Sequence, residues 1–275
     1  MALLNVNFFS QALGMCTSMN VILPEKKMEI GAFQQGGFKI DPEMIDPHQA
    51  RLDVWDGESP LSVLYLLHGA SDDHTIWCRR TSIERYVTGK KLAVIMPAVA
   101  ISFYSDEANG YPYWQFISEE LPQVVKAFFK VSDKRGDTYV AGLSMGSFGA
   151  AKLALNHPDR YCKAALFSGG LYMGQLIAMV DDLSHRILGD PASLANSSND
   201  LPALARALTS SKKDKPEFFT ACGKKDFLYP LHHQMVSDFS DLGFKLTNYE
   251  EDDAYHEWSF WDKAIQVALD WMEIS

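Results

Sequence analysis

The sequence predicts an α/β protein: a mostly parallel sheet with helices on both faces. The first observation is a series of short β-rich runs, most of them near-continuously apolar: "LSVLYLLHG" (61–69), "KLAVIMPAV" (91–99), "DTYVAG" (137–142), "YCKAALFSGG" (161–170), "PEFFTACG" (216–223) and "FKLTNYEE" (244–251). Strands read this way when neither face meets water. The second is that helical patterns alternate with these runs, which is the signature of parallel crossover units. The third is size. A chain of 275 residues with 47% hydrophobic content can build one large core, so a single domain over 1–275 is expected.

The elements follow in order. "LLNVNFF" and "CTSMNVIL" near the N-terminus read as antiparallel edge strands. Residues 24–60 form a long edge connection rich in turn formers. Helices are expected at 82–87, 113–131, directly after Ser144, at 232–243 and at 262–274. Residues 171–215, which include "LGDPASLANSSNDLP", separate two core strands and read as a small cap or lid. Connections of this length usually carry function. Leu171, Met173, Leu176 and Ile177 are expected either to line an acyl-binding pocket under that cap or to serve as plain helix core.

Composition narrows the partners. The net charge of −10 and the pI of about 5.2 argue against nucleic acid and anionic membranes. A neutral small molecule stays compatible with them. The N-terminus carries no basic residue before Lys26, and no apolar run approaches the roughly 18 residues of a spanning helix. Cys16, Cys78, Cys162 and Cys222 are scattered, with no Cys-x-x-Cys pair. They read as buried free thiols in a reducing compartment, so a cytoplasmic protein is expected. No metal or organic cofactor is expected, and self-association is left open.

One stretch carries chemistry. "AGLSMGSFGAAKLAL" (141–155) holds Gly142-Leu143-Ser144-Met145-Gly146 between a strand and a helix. A nucleophile on so tight a turn needs neighbours without side chains. Gly142 lets the turn approach a neighbouring strand, and Gly146 lets the helix begin close to the sheet. Ser144 then sits at a strand's carboxyl end, where open α/β sheets carry their sites. An activated serine needs a base and an orienting acid, which in an elbow fold follow in the order acid, then histidine. Asp226, after "EFFTACG", fits the acid, and His256, in "YEEDDAYHEW", fits the base. Asp252 and Asp253 are rival acids, but they share the histidine's own loop. His232 and His233 open a helix and are expected to face solvent. The oxyanion donors expected are the backbone N–H groups of Met145 and Ala70, with Gly69 as the alternative to Ala70. His68 reads as a structural loop residue.

"LYLLHGASDDHTIW", "FYSDEANGYPYWQFISEELP", "AGLSMGSFGAAKLAL", "ACGKKDF" and "YHEW" together resemble the esterase D and tributyrin-esterase branch of the α/β-hydrolases. S-formylglutathione hydrolases, feruloyl esterases and mycolyltransferases are more distant members of the same group. The resemblance runs from about residue 60 to the end. It implies the α/β-hydrolase fold, a carboxylic-ester hydrolase acting on short acyl chains, and Ser144, Asp226 and His256 as its triad. The chain departs from the family at Ser147, where glycine is common, and in the long 24–60 segment.

Overall fold

The computed structural model describes residues 1–25, 55–178 and 183–274. Most of the 24–60 connection, and residues 179–182 of the cap, lie outside them. Eight strands form one sheet: β1 (Ala2–Ser10), β2 (Met15–Leu23), β3 (Ser62–Leu67), β4 (Leu92–Pro97), β5 (Thr138–Leu143), β6 (Lys163–Phe167), β7 (Glu217–Gly223) and β8 (Leu246–Glu251). Their spatial order is β1-β2-β4-β3-β5-β6-β7-β8. The strands from β3 to β8 run parallel, while the β1–β2 hairpin joins antiparallel through β4. Both N-terminal strands and all six runs are therefore where the pattern predicts them.

Among the described residues, ten α-helical segments accompany the sheet: α1 (Ile76–Arg80), α2 (Ile83–Tyr86), α3 (Tyr113–Gln115), α4 (Leu121–Phe128), α5 (Met145–Asn156), α6 (Met173–Ile177), α7 (Leu183–Ile187), α8 (Leu201–Thr209), α9 (Tyr229–Asp241) and α10 (Trp258–Trp271). The pleat of the strands separates two cores. Val63, Tyr65 and Leu67 of β3 face α4, α5, α8 and α9, whereas Leu64 and Leu66 face α1, α2 and α10. Every residue of β4 and β5 is buried, which is why these strands read as unbroken apolar runs. None of the described helices is long and apolar enough to cross a membrane.

Several local expectations need correction. The stretch 113–131 is not one regular helix. A π-helical turn, Phe116–Glu120, joins α3 to α4, and the helix stops at Phe128. Pro122 has no N–H to give the Ser118 carbonyl four residues earlier. Arg160 donates to that carbonyl instead. Residues 76–80 form a short helix, α1, not read from the sequence; its Trp77 indole donates to the Leu67 carbonyl at 3.0 Å. Helix α10 starts at Trp258, four residues before the stretch read from the sequence. No side chain caps its N-terminus, and Trp258 and Trp261 instead pack edge-on to each other, Trp258 also against Trp77. His232 is fully buried rather than solvated. Helix α9 begins at Tyr229, and that phase turns His232, Met235 and Phe239 inward together. Of the cysteines, Cys222 alone is buried; Cys78 and Cys162 are half-buried and Cys16 is exposed, because β1–β2 is an edge hairpin.

The turn between β5 and α5 is tightly packed. Ser144 has φ 53° and ψ −119°, a conformation costly for any residue with a side chain. A Cβ on Gly142 would lie 2.2 Å from the Gly146 carbonyl oxygen. Gly142 thus makes room for the first turn of α5 rather than for a strand. A Cβ on Gly146 would lie 2.7 Å from the carbonyl oxygens of Leu67 and His68, at the end of β3. We therefore expect Gly146→Val to destabilise the protein by at least about 1–3 kcal/mol, the usual cost of overpacking. Urea denaturation measures this; an unchanged midpoint would show the turn to be slack.

His68 follows β3 and is 1% exposed. Its Nδ1 faces the Gly69 carbonyl at 2.7 Å, and its Nε2 faces the Val99 N–H at 3.1 Å. A carbonyl only accepts and an amide only donates, so the ring is neutral with its proton on Nδ1. Burial lowers its pKa from 6.5 to about 4. Burial also lowers the pKa of His157 and His232. A histidine buried neutral binds fewer protons folded than unfolded. Its contribution to stability is complete above 6.5 and is lost as the pH falls toward about 4. The melting temperature should fall over that window, and less steeply in His68→Gln than in wild type. Equal slopes in melts at pH 7 and pH 5 would contradict the assignment.

Candidate active site

Parallel strands present all their carboxyl ends at one edge of the sheet, and the loops after β3, β5, β7 and β8 meet there. Ser144 stands between β5 and α5. Its N–H donates to the Phe167 carbonyl at 2.8 Å, which ties the turn to the end of β6. Ser144 Oγ lies 3.1 Å from His256 Nε2. His256 Nδ1 lies 3.0 and 2.9 Å from the two Asp226 carboxylate oxygens. The structure thus brings together the three side chains singled out in the sequence, from three separate loops.

Asp226 and His256 meet because the loops after β7 and β8 are bound to each other. The Lys224 N–H donates to the Glu251 carbonyl at 2.9 Å, and the Lys225 N–H to the Ala254 carbonyl at 3.0 Å. Gly223 permits this approach, since a Cβ there would come 2.2 Å from the Ala254 carbonyl oxygen. The Asp226 carboxylate also accepts the Leu228 N–H at 2.8 Å. Burial opposes its ionisation. The hydrogen bond and charge of His256, with the Leu228 N–H and Ser168, outweigh burial and hold its pKa below the ordinary value. Asp252 and Asp253 point away and pair with Lys224 and Lys225, each at 2.7 Å, on the surface. Both are solvated.

Aromatic rings frame the imidazole. Phe227 lies 4.5 Å from the His256 ring on one side, and Trp261 meets it edge-on at 4.8 Å. The Trp261 indole N–H donates to Ser168 Oγ at 2.9 Å. Ser168 is fully buried at the end of β6, with φ 47°. It supports Asp226 from behind, and sequence reading did not find it. The available signal was "FSGG", where paired glycines after a strand mark a close backbone approach. Trp261, also unassigned from the sequence, lies just before the helical stretch read at 262–274, in the first turn of α10.

The open cleft above Ser144 has a volume of about 530 Å³. Gly69, Ala70, Asp72 and Arg80 line one side, and His256 and Trp258 the other. Of the expected donors, Met145 opens α5 directly after Ser144, and Ala70, in the loop after β3, lines the same cleft as the serine. A Cβ on Gly69 would lie 3.5 Å from Ser144 Cβ, so the β3 loop touches the nucleophile's turn. Burial and the neighbouring Asp73 raise the pKa of Asp72.

Leu171, Met173, Leu176 and Ile177 are all buried, at 1%, 1%, 6% and 2% exposure. None of them lines the cleft that holds Ser144. Leu171 and Met173 border a separate cavity of about 410 Å³ between α6 and residues 191–202 of the cap. The described part of the cap consists of α6, α7, a short 3-10 turn and α8.

Residues 52–272 match the Esterase family model, described as "Putative esterase". An acetyl esterase from Caldicellulosiruptor saccharolyticus is 29% identical over 99% of this chain and 98% of its own. Among solved structures, the substrate-bound fluorophosphonate-binding serine hydrolase FphF of Staphylococcus aureus is 31% identical, with a TM-score of 0.82 over 100% of this chain and 99% of its own. The S-formylglutathione hydrolase FrmB of the same species is 32% identical, with a TM-score of 0.78 over 98% of each chain. With the geometry above, these likenesses establish that the chain belongs to the Esterase family, as a carboxylic ester hydrolase of the α/β-hydrolase fold.

Proposed function

We propose that the protein is a serine carboxylesterase for short-acyl esters, acetyl to butyryl, working through an acyl-enzyme. The observation that carries this reading is the unbroken relay from Ser144 Oγ to His256 to Asp226, at 3.1 and 2.9 Å. His256 Nε2 takes the hydroxyl proton as Ser144 attacks the ester carbonyl. Asp226 holds the imidazole in the required tautomer and stabilises the imidazolium. The Met145 and Ala70 N–H groups receive the oxyanion, helped by the positive end of α5. The imidazolium then protonates the departing alkoxide. Water repeats the sequence on the acyl-enzyme, releasing the acid and freeing Ser144. Every group the cycle requires is a side chain or amide of this chain.

The preference for short acyl chains draws support from the acetyl esterase relative. Packing also supports it, because the apolar side chains of α6 are enclosed. The acyl group is proposed to run toward the turn after β6, where a Cβ on Gly169 would lie 3.5 Å from the Ser144 carbonyl oxygen. Leu171, Met173, Leu176 and Ile177 would then limit its length from behind. A thioesterase reading has its own support in the likeness to S-formylglutathione hydrolase. Hydrolysis profiles over acetyl, butyryl and octanoyl esters and the matching thioesters separate the two.

Ser144→Ala should keep the fold and lose nearly all turnover on p-nitrophenyl acetate, since the remaining groups supply only about 10³–10⁴ over water. It should also abolish labelling by a fluorophosphonate. Retention of a tenth of wild-type kcat would sink the assignment. Asp226→Asn should cost on the order of 10⁴ in kcat. Asp252→Asn and Asp253→Asn should change rates by no more than about three-fold, as screened surface charges do. A collapse in either surface variant, with Asp226→Asn near normal, would move the acid onto the histidine's own loop.

A further inference from the structure

Lys152 is a lysine with no exposure at all, in the middle of α5. Its Nζ donates to the Tyr104 carbonyl at 2.9 Å and to Ser105 Oγ at 3.1 Å, and stands 4.2 Å above the centre of the Trp114 ring. Burying an amine this deeply is expensive unless it is fully engaged. The ester-cleaving relay does not use it. What it holds is an irregular loop. Phe103 and Tyr104 both have positive φ, 49° and 54°, in succession and without glycine. Two such residues are strained and persist only where the surroundings over-determine them.

Tyr104 carries the connection onward. It is fully buried, and its ring lies against the backbone of α5, where a Cβ on Gly149 would come 2.4 Å from it. Its hydroxyl donates to the His68 carbonyl at 2.8 Å. That carbonyl belongs to the rigid, planar peptide joining His68 to Gly69. In a trans peptide the N–H points opposite the C=O. Fixing the His68 carbonyl therefore fixes the direction of the Gly69 N–H. The next peptide is held by the His68 ring, whose Nδ1–H donates to the Gly69 carbonyl at 2.7 Å and so sets the Ala70 N–H. Both N–H groups considered as oxyanion donors from this loop are aimed by buried hydrogen bonds on their opposite faces.

We propose that Lys152 and Tyr104 are positioning residues that aim the oxyanion-binding peptides after β3 from the helix that carries the nucleophile. The inference rests on the esterase reading above and adds to it how the two halves of the site keep register. Helix α5 presents Ser144 at its N-terminus and, two turns further on, holds the loop that braces His68. A shift of α5 thus carries the serine and the brace of its oxyanion donors together. Burial pushes the Lys152 amine well below the ordinary lysine range. The two N–H donors it needs survive loss of the proton.

Two variants test this by kinetics. Tyr104→Phe removes only the hydroxyl, and Lys152→Met removes the donors but keeps most of the length. A donor lost outright from an oxyanion hole costs about 10²–10³ in kcat. A donor left in place but misaimed should cost less, about 10-fold. We expect Tyr104→Phe to lower kcat on p-nitrophenyl acetate about 10-fold with KM within two-fold of wild type, and to slow fluorophosphonate labelling similarly. Lys152→Met should do the same, and the double variant should be no worse than the more impaired single one, because the two act in series. A purely structural role would lower the melting temperature and leave kcat per folded enzyme unchanged; that result in Tyr104→Phe overturns the proposal, even if Lys152→Met does not fold. Independent, multiplying losses in the double variant would also overturn it. If wild type neither hydrolyses esters nor takes the label, the esterase reading fails first, a result plainly different from an active wild type matched by active variants.

Discussion

At the carboxyl edge of the sheet, three stretches of main chain meet with no side chain between them: the end of β3, the end of β5 and the first turn of α5. Gly142 and Gly146 are the reason they can. A Cβ on either would strike a carbonyl oxygen, at 2.2 and 2.7 Å respectively. This contact forces Ser144 into its positive-φ conformation and throws its side chain clear of the sheet. It also sets the β3 loop beside the nucleophile, so the N–H groups expected to bind the oxyanion need no side chain to bring them there. The strain is local, and it is supported by β5 and α5, both of them buried along almost their whole length.

The remaining loops are positioned against that fixed point. Those after β7 and β8 are joined by main-chain hydrogen bonds before their side chains do anything, which carries Asp226 and His256 into register. The cap is fastened in a similar way to the loop after β4. The Ala108 and Asn109 N–H groups donate to the Ile187 and Arg186 carbonyls at 3.1 and 3.2 Å, and Ser105 Oγ lies 2.8 Å from Asn199 Oδ1. That loop is the one held by Lys152. Helix α5, the loop after β3 and residues 171–215 therefore share one polar junction. Such a junction is stable only when every member is satisfied, so it favours a single geometry.

Electrostatics follow the same division of labour. The chain carries a net charge of −10, and on its surface Asp252 and Asp253 are each paired to a lysine. The cleft itself carries Asp72, Arg80 and Glu257 beside His256. Asp226 is the acid that faces the imidazole, and its hydrogen bonds keep it ionised despite burial. The aromatic frame of Phe227 and Trp261 shields the imidazole from much of the solvent while leaving Nε2 open to the cleft.

Much of this was legible in the sequence. Apolar runs marked β3 to β7 because burial leaves a continuous signal in consecutive residues, whereas β8, at the sheet edge and only partly buried, keeps polar residues and was read from its place in the alternation. The Gly-x-Ser-x-Gly turn, the acid after β7 and the histidine after β8 were legible because strand order in a parallel fold determines which loops share an edge. Features that depend on distant neighbours were not. The apolar run around Lys152 announces a buried helix but not what engages the amine, because its partners lie 48 and 47 positions away. His232 reads as solvated until α9 is seen to start at Tyr229, which sets the phase that turns it inward. The α6 residues expected to line a pocket are enclosed by the cap, whose packing no periodicity records. The sequence by itself determined which residues could do the chemistry and on which loops they sit, since hydrophobic period and chain order are local properties. Only the tertiary structure decided how those loops are held and aimed, since that depends on contacts between segments whose spacing along the chain carries no pattern.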